Sequence, residues 1–236
     1  MKTTGSSLPS VRQRRAGRFS RLVASLIQSS SGVAAIEFAM ILPLFTGLGM
    51  YGIEIAYMSS VNMRISQIAL EIADNASRME QTNNSTVAPT VTEADIDSVM
   101  IGATTEGENF DFATNGRVIL SSLERDPVTG KQFIHWQRCA GELNVQSDYG
   151  NDSTRNGLNG GTITALGRGP TKVTAPPGIA VMFVEVFYDY EGIFGTLFVE
   201  NQRFKQEAAY LVRDVRDLRA ASLPGVTGVG GNSQCE

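Results

Sequence analysis

Between residues 33 and 58 the chain is apolar at nearly every position, broken only by Glu37, Pro43 and Glu54. From there to residue 79 the pattern changes while the sequence stays compatible with helix. Met58, Val61, Ile65, Ile68, Ile72, Ala76 and Met79 recur every three or four residues, and Arg64, Glu71, Asp74 and Arg78 fall between them. Apolarity on all sides suits a helix in lipid, whereas a stripe at helical period suits one lying on a protein core. Together they predict one helix over 33–79, half in a membrane and half amphipathic, the latter packed on a sheet. The uncharged run 38–53 has 16 residues, which span about 24 Å at helical rise. A hydrocarbon core is about 30 Å thick, so Glu37 is drawn close to its inner edge. Glu54 falls at the outer edge, where it can reach water and reads as a boundary marker. A cleaved secretory signal fits poorly, because the apolar run is too long, begins beyond residue 30 and lacks a small-x-small exit site.

Strand patterns come later. Residues 80–91, "EQTNNSTVAPTV", read as a linker, and Thr92 is placed to cap a short helix over 92–102. "RVILSSLE" (117–124) and "KQFIHWQRC" (131–139) flank the turn-forming "RDPVTG" and predict a hairpin. A polar loop rich in Gly and Asn fills about 144–162. In "GIAVMFVEVFYDY" (178–190), Ala180, Met182, Val184, Val186, Tyr188 and Tyr190 form one apolar face, and Glu185 and Asp189 mark the other. Segment 203–215 carries both periods: Phe204, Gln206, Ala208, Tyr210 and Val212 alternate as a strand, while Phe204, Ala208, Leu211, Val215 and Leu218 make a helical stripe. Strand is preferred. The expected fold class is α+β, a long N-terminal helix on an antiparallel sheet. Its expected parts are a leader (1–32), the helix (33–79), an outer domain (80–222) and a tail (223–236) that is mobile unless Cys235 pins it.

Charge sets the orientation. Residues 1–32 hold Lys2, Arg12, Arg14, Arg15, Arg18 and Arg21 with no acidic residue, so the leader carries +6, and since the net is −4 the rest carries −10. The leader is Ser- and Arg-rich and reads as disordered, apart from a short interfacial helix around 22–27. A basic leader before an apolar helix places the N-terminus in the cytoplasm and the remainder outside it. Nucleic-acid binding is the competing reading of the arginines. It is disfavoured because they run straight into an apolar helix and the body is acidic, which phosphates repel. The only cysteines are Cys139 and Cys235. In an oxidising compartment a disulfide between them is the expected state, with two free thiols as the alternative.

No catalytic or metal-ligating pattern stands out. There is a single histidine, His135, flanked by Ile134 and Trp136, and a lone histidine on a strand is more often structural. No P-loop, nucleophile elbow, Cys-x-x-Cys pair or spaced acidic cluster occurs. An enzyme is not expected, nor is a cofactor or a metal. The unusual residue is Glu37, since a carboxylate in hydrocarbon costs roughly 2–3 kcal/mol and needs a partner or a function. One reading is an interfacial glutamate that escapes to the headgroups. The sharper one uses Gly32: a cut after it makes Val33 a new N-terminus, whose ammonium can pair with Glu37 within one chain or between neighbours.

At this point "G-VAAIEFAMILPLF" resembles the processing site of TadE-like minor pseudopilins of the tight-adherence (Flp) type IVb pilus. The resemblance implies that a membrane-embedded prepilin peptidase cuts between Gly32 and Val33. Glu37 then stands fifth after the cut with the aromatic Phe38 beside it, and Pro43 introduces a kink. "IHWQRCAG" (134–141), "APPGIAVMFVEVFYDYEGIFG" (175–195) and "AAYLVRDVRDL" (208–218) are similar to outer-domain segments of longer members. The implied protein is a pilus assembly component that supports adhesion and biofilm, a single-pass protein of a bacterial inner membrane with a periplasmic domain. Its implied partners are the peptidase, other Tad pilus subunits and assembly proteins, and membrane lipid. The alternative is an uncleaved bitopic protein, a pilus-machine anchor or a sensor with an outer binding domain.

Overall fold

The computed structural model describes residues 30–79, 91–213, 225–228 and 231–235. The leader, with Arg12, Arg14, Arg15, Arg18 and Arg21 and the expected interfacial helix, lies outside the described residues, as do linker residues 80–90 and the helical stripe's Val215 and Leu218. Helix α1 runs from Ser30 to Ser77 and contains Pro43. The chain divides into two compact units, Met1–Ile53 and Glu54–Glu236. The described residues of the first are helical, and none of the side chains in its most apolar window is buried in the protein. Such a helix is long and apolar enough to cross a membrane.

The second unit is a three-layer α+β domain. Strands β2 (Gly116–Arg125), β3 (Gln132–Ala140), β4 (Val181–Tyr190) and β5 (Gln202–Leu211) form an antiparallel sheet in the order β3-β2-β4-β5. The hairpin β2–β3 pairs Val118 with Ala140 and Arg125 with Gln132, with a bulge at Ser122/Leu123. Segment 202–211 is strand, pairing Ala208 with Val184 on β4. One sheet face packs Val118, Leu120, Met182, Val184, Val186 and Ala208 against the α1 stripe, in which Val61, Ile65, Ile68, Ile72 and Ala76 are buried. Ile96 and Met100 of α2 (Glu93–Glu106) join this core. Thr92 caps α2 through a capping box with Asp95, and the helix runs four residues beyond the expected 102.

The opposite sheet face differs from the sequence expectation. Glu185 was read as marking a polar face, yet Glu185 is fully buried, and so are Val181 and Phe183 beside it. The long irregular segment 141–180 covers them, contributing Ile163, Leu166 and Ala175 to a second apolar cluster. At its edge Lys205 holds the layers together. Its Nζ lies 2.7 Å from carboxylate oxygens of Asp148, Glu185 and Glu207, with only 3 % of the side chain exposed. Tyr149 donates to Glu207 at 2.8 Å, and Ser147 donates to Glu185. The Lys205 bond holds the Asp148 carboxyl below its usual range. Burial pushes Glu207 up, but Lys205, Tyr149 and the Arg168 amide together outweigh it and the net shift is downward. Burial also raises Glu185, and there Lys205 and Ser147 only oppose it.

The described parts of the tail are paired into the domain, and Cys235 pins them as the conditional expectation required. Strand β6 (Val226–Thr227) lies parallel to β1 (Val91–Thr92), and Ser233 bonds Asp97 at 2.6 Å. Arg138 forms a two-pronged pair with Glu93, whose carboxylate also accepts from Gln234. Cys139 and Cys235 are joined by a disulfide that closes a separation of 96 residues.

Two outcomes test this account. Replacing Lys205 by methionine leaves the buried Glu185 without its cation, while Asp148 and Glu207 keep their contacts to Arg168, and urea unfolding of the full chain in detergent should show a loss of about 3–5 kcal/mol at pH 7. Asp148 and Glu207 are depressed in the folded state, so they stabilise it above about pH 4 and that share is lost as acid protonates them. Without Lys205 much of that depression is lost, and the part of the variant's deficit due to these two groups should shrink as pH falls below about 4. The double variant Cys139→Ser, Cys235→Ser should lose about 4–5 kcal/mol in the same assay, in line with the long loop the disulfide closes.

Candidate processing and assembly site

Gly32 lies in the first turn of α1, and an added Cβ there would meet nothing within 4 Å. Val33 is 58 % exposed and Phe38 65 %, and Glu37 is exposed with them. Among the described residues nothing shields the Gly32–Val33 peptide bond, although cleavage there requires the first turn to open from helix into an extended strand. Glycine lowers the cost of that opening, since it has the weakest helix preference apart from proline. Val33 and Glu37 stand four residues apart and thus on one helix face, their backbones about 6 Å apart along the axis. An ammonium created at Val33 is within reach of the Glu37 carboxylate. Pro43 has no amide to offer the Ala39 carbonyl, so the helix lacks one backbone bond at an acceptor about half a turn beyond Glu37.

The second carboxylate of the apolar run behaves otherwise than the sequence implied. Glu54 does not reach water: it is fully buried. Tyr190 at the end of β4 donates to its Oε1 at 2.6 Å, and the Phe194 amide donates to Oε2 at 3.2 Å. Burial and this carboxylate push the Tyr190 phenol above its ordinary value. Gly192 lets the β4–β5 loop close over the group, because a Cβ there would stand 2.6 Å from Glu54 Oε1. Glu54 was missed because its partners lie 136 and 140 residues further on. The only signal was its position, one residue past the uncharged run. His135 sits within 3.0 Å of Glu124, a buried pair inside the sheet. Among the described residues no group of three His, Cys, Asp or Glu side chains is arranged to hold a metal ion.

Residues 32–74 match the family described as TadE-like protein. This segment is TadE-like. The match opens on Gly32 itself and covers Val33, Glu37, Phe38, Pro43 and Glu54, ending in the amphipathic half of α1. A TadE-like segment points to a Tad pilus-associated component with a single-pass apolar anchor. No curated protein and no solved structure matches the chain. The domain beyond residue 74 lies outside the matched segment.

Glu54 gives the prediction here. Glu54→Leu leaves the Tyr190 hydroxyl and the Phe194 amide unpaired, at about 1–3 kcal/mol for each buried group. Thermal unfolding of the full chain should show that loss, and Glu54→Gln, which keeps a carbonyl acceptor, should recover most of it.

Proposed function

We propose that the chain is a minor pseudopilin of a Tad pilus, cut after Gly32 by a prepilin peptidase and then built into, or onto, the pilus. The observation that carries this reading is the TadE-like match that begins at Gly32, on a helix turn where Gly32, Val33, Glu37 and Phe38 are open to an approaching protein. The arginines at 12–21 hold the leader on the cytoplasmic side, where the peptidase meets the scissile glycine, and the outer domain lies in the periplasm. The apolar helix stores the subunit in lipid until assembly.

Glu37 supplies the register. In lipid its charge is costly alone and favourable beside the α-ammonium of Val33 on a neighbouring subunit, so a subunit docks at the depth where the two charges meet. Pro43 loosens the helix just beyond, where neighbouring helices pack. Pilus assembly, surface adhesion and biofilm follow as the protein's roles, and the chain itself performs no catalysis.

N-terminal sequencing of the protein isolated from membranes tests the reading. The expected start is Val33. Glu37→Ala is expected to keep that start while pilus assembly, scored by electron microscopy of cell surfaces, is lost. A protein that retains residues 1–32 in every fraction would instead make it a permanent anchor and leave Glu37 without its ammonium partner.

A further inference from the structure

The loop between β4 and β5, "EGIFGTLFVEN" (191–201), is apolar where loops are ordinarily polar. Ile193 is 51 % exposed and Leu197 67 %. They are not on a floppy tip. Phe194 and Phe198 pack edge to face with centroids 5.9 Å apart, a short 3-10 turn (Gly195–Leu197) links them, and the Phe194 amide is tied to the buried Glu54 carboxylate. The loop therefore presents Ile193 and Leu197 outward at a fixed place in the domain, on either side of its bond to Glu54.

That place is what gives the apolar surface a partner. Glu54 follows directly on Ile53, the last residue of the uncharged run, and one residue of helix rises only about 1.5 Å. A loop hydrogen-bonded to Glu54 stands at the level where hydrocarbon gives way to headgroups. The aromatic side chains gathered there, Tyr57 and Tyr190 with centroids 6.1 Å apart together with Phe194 and Phe198, are of the kind that settles in this interface. The nearby charges are Glu191 and Glu200, and Arg203 is already paired with Asp189. The loop itself, residues 191–201, carries no basic side chain, so the attraction it offers to lipid is apolar burial.

We infer that the β4–β5 loop is a second membrane contact, inserting Ile193 and Leu197 into the outer headgroup boundary of the bilayer through apolar burial alone. The inference rests on α1 crossing the membrane and is independent of the pilus role. Two contacts fix more than one. A helix alone leaves a domain free to swing and turn about its exit point, while a second foot a short way off holds it upright and sets which face looks along the membrane.

The test uses the full chain in phosphatidylcholine vesicles. Both native cysteines are in the disulfide, so a single added cysteine takes the label cleanly. Leu197→Cys, Phe45→Cys in the apolar run and Val128→Cys, 89 % exposed in the β2–β3 turn, each carry an environment-sensitive fluorophore. The expected result is a blue-shifted Leu197 label, quenched most by nitroxides placed high on the lipid chains, about 5–10 Å deep. The Phe45 label should be quenched most by deep nitroxides, and the Val128 label by neither. The Leu197 signal should not change when anionic lipid or salt is added. A Leu197 label that behaves like Val128 while Phe45 is quenched overturns the inference and spares the span. A Leu197 label shielded from water yet untouched by lipid nitroxides means that protein covers the loop, and also overturns it. Failure of quenching at Phe45 removes the span, and the inference falls with it.

Discussion

One helix must satisfy two solvents in succession, and this requirement shapes the rest of the protein. From Phe38 to Ile53 the side chains of α1 are uncharged and mostly apolar on every side, as suits lipid. From Glu54 onward only a stripe is apolar, because the other faces meet water or polar partners. The change is made at a buried carboxylate held by a phenol and a backbone amide, both donated by the sheet side of the domain. A carboxylate is a demanding group to bury, and burying this one ties the end of β4 and the loop after it to the start of the domain's share of the helix.

The layer that covers the far face of the sheet obeys another rule. It has little regular structure, so backbone pairs such as Leu166 with Val173 satisfy only part of it, and side chains supply much of the rest. Gln132 accepts from the Ala175 amide at 2.6 Å, Asn156 caps its own turn, and Lys205 draws three carboxylates from three parts of the chain onto one ammonium. Polar residues there are fasteners, and their burial is tolerable because each has partners within reach.

Legibility followed from how local each signal was. The helix with its two faces, the cap at Thr92, the β2–β3 hairpin and the strand character of 202–211 all rest on residues within a few positions of one another, and periodicity reports such patterns directly. The motif around Gly32 was readable for the same reason. Glu185 and Glu54 were misjudged because a charged residue announces a surface unless its partner is known, and those partners arrive from other elements through tertiary pairing. Residues 225–228 and 231–235 carry no periodicity, and their pairing comes from Val91, Asp97, Glu93, Arg138 and Cys139.

The pairing of β6 with β1 has a consequence for how the domain is made. Val91 waits for Val226, Asp97 for Ser233 and Cys139 for Cys235. A chain emerging from the ribosome presents the first member of each pair long before the second, so for most of synthesis one corner of the domain stays unlatched. Closure comes only once residues 225–228 and 231–235 have been made. Until then the core lacks Val226 and Cys139 lacks its partner, so the same corner is where a protease would find the domain open.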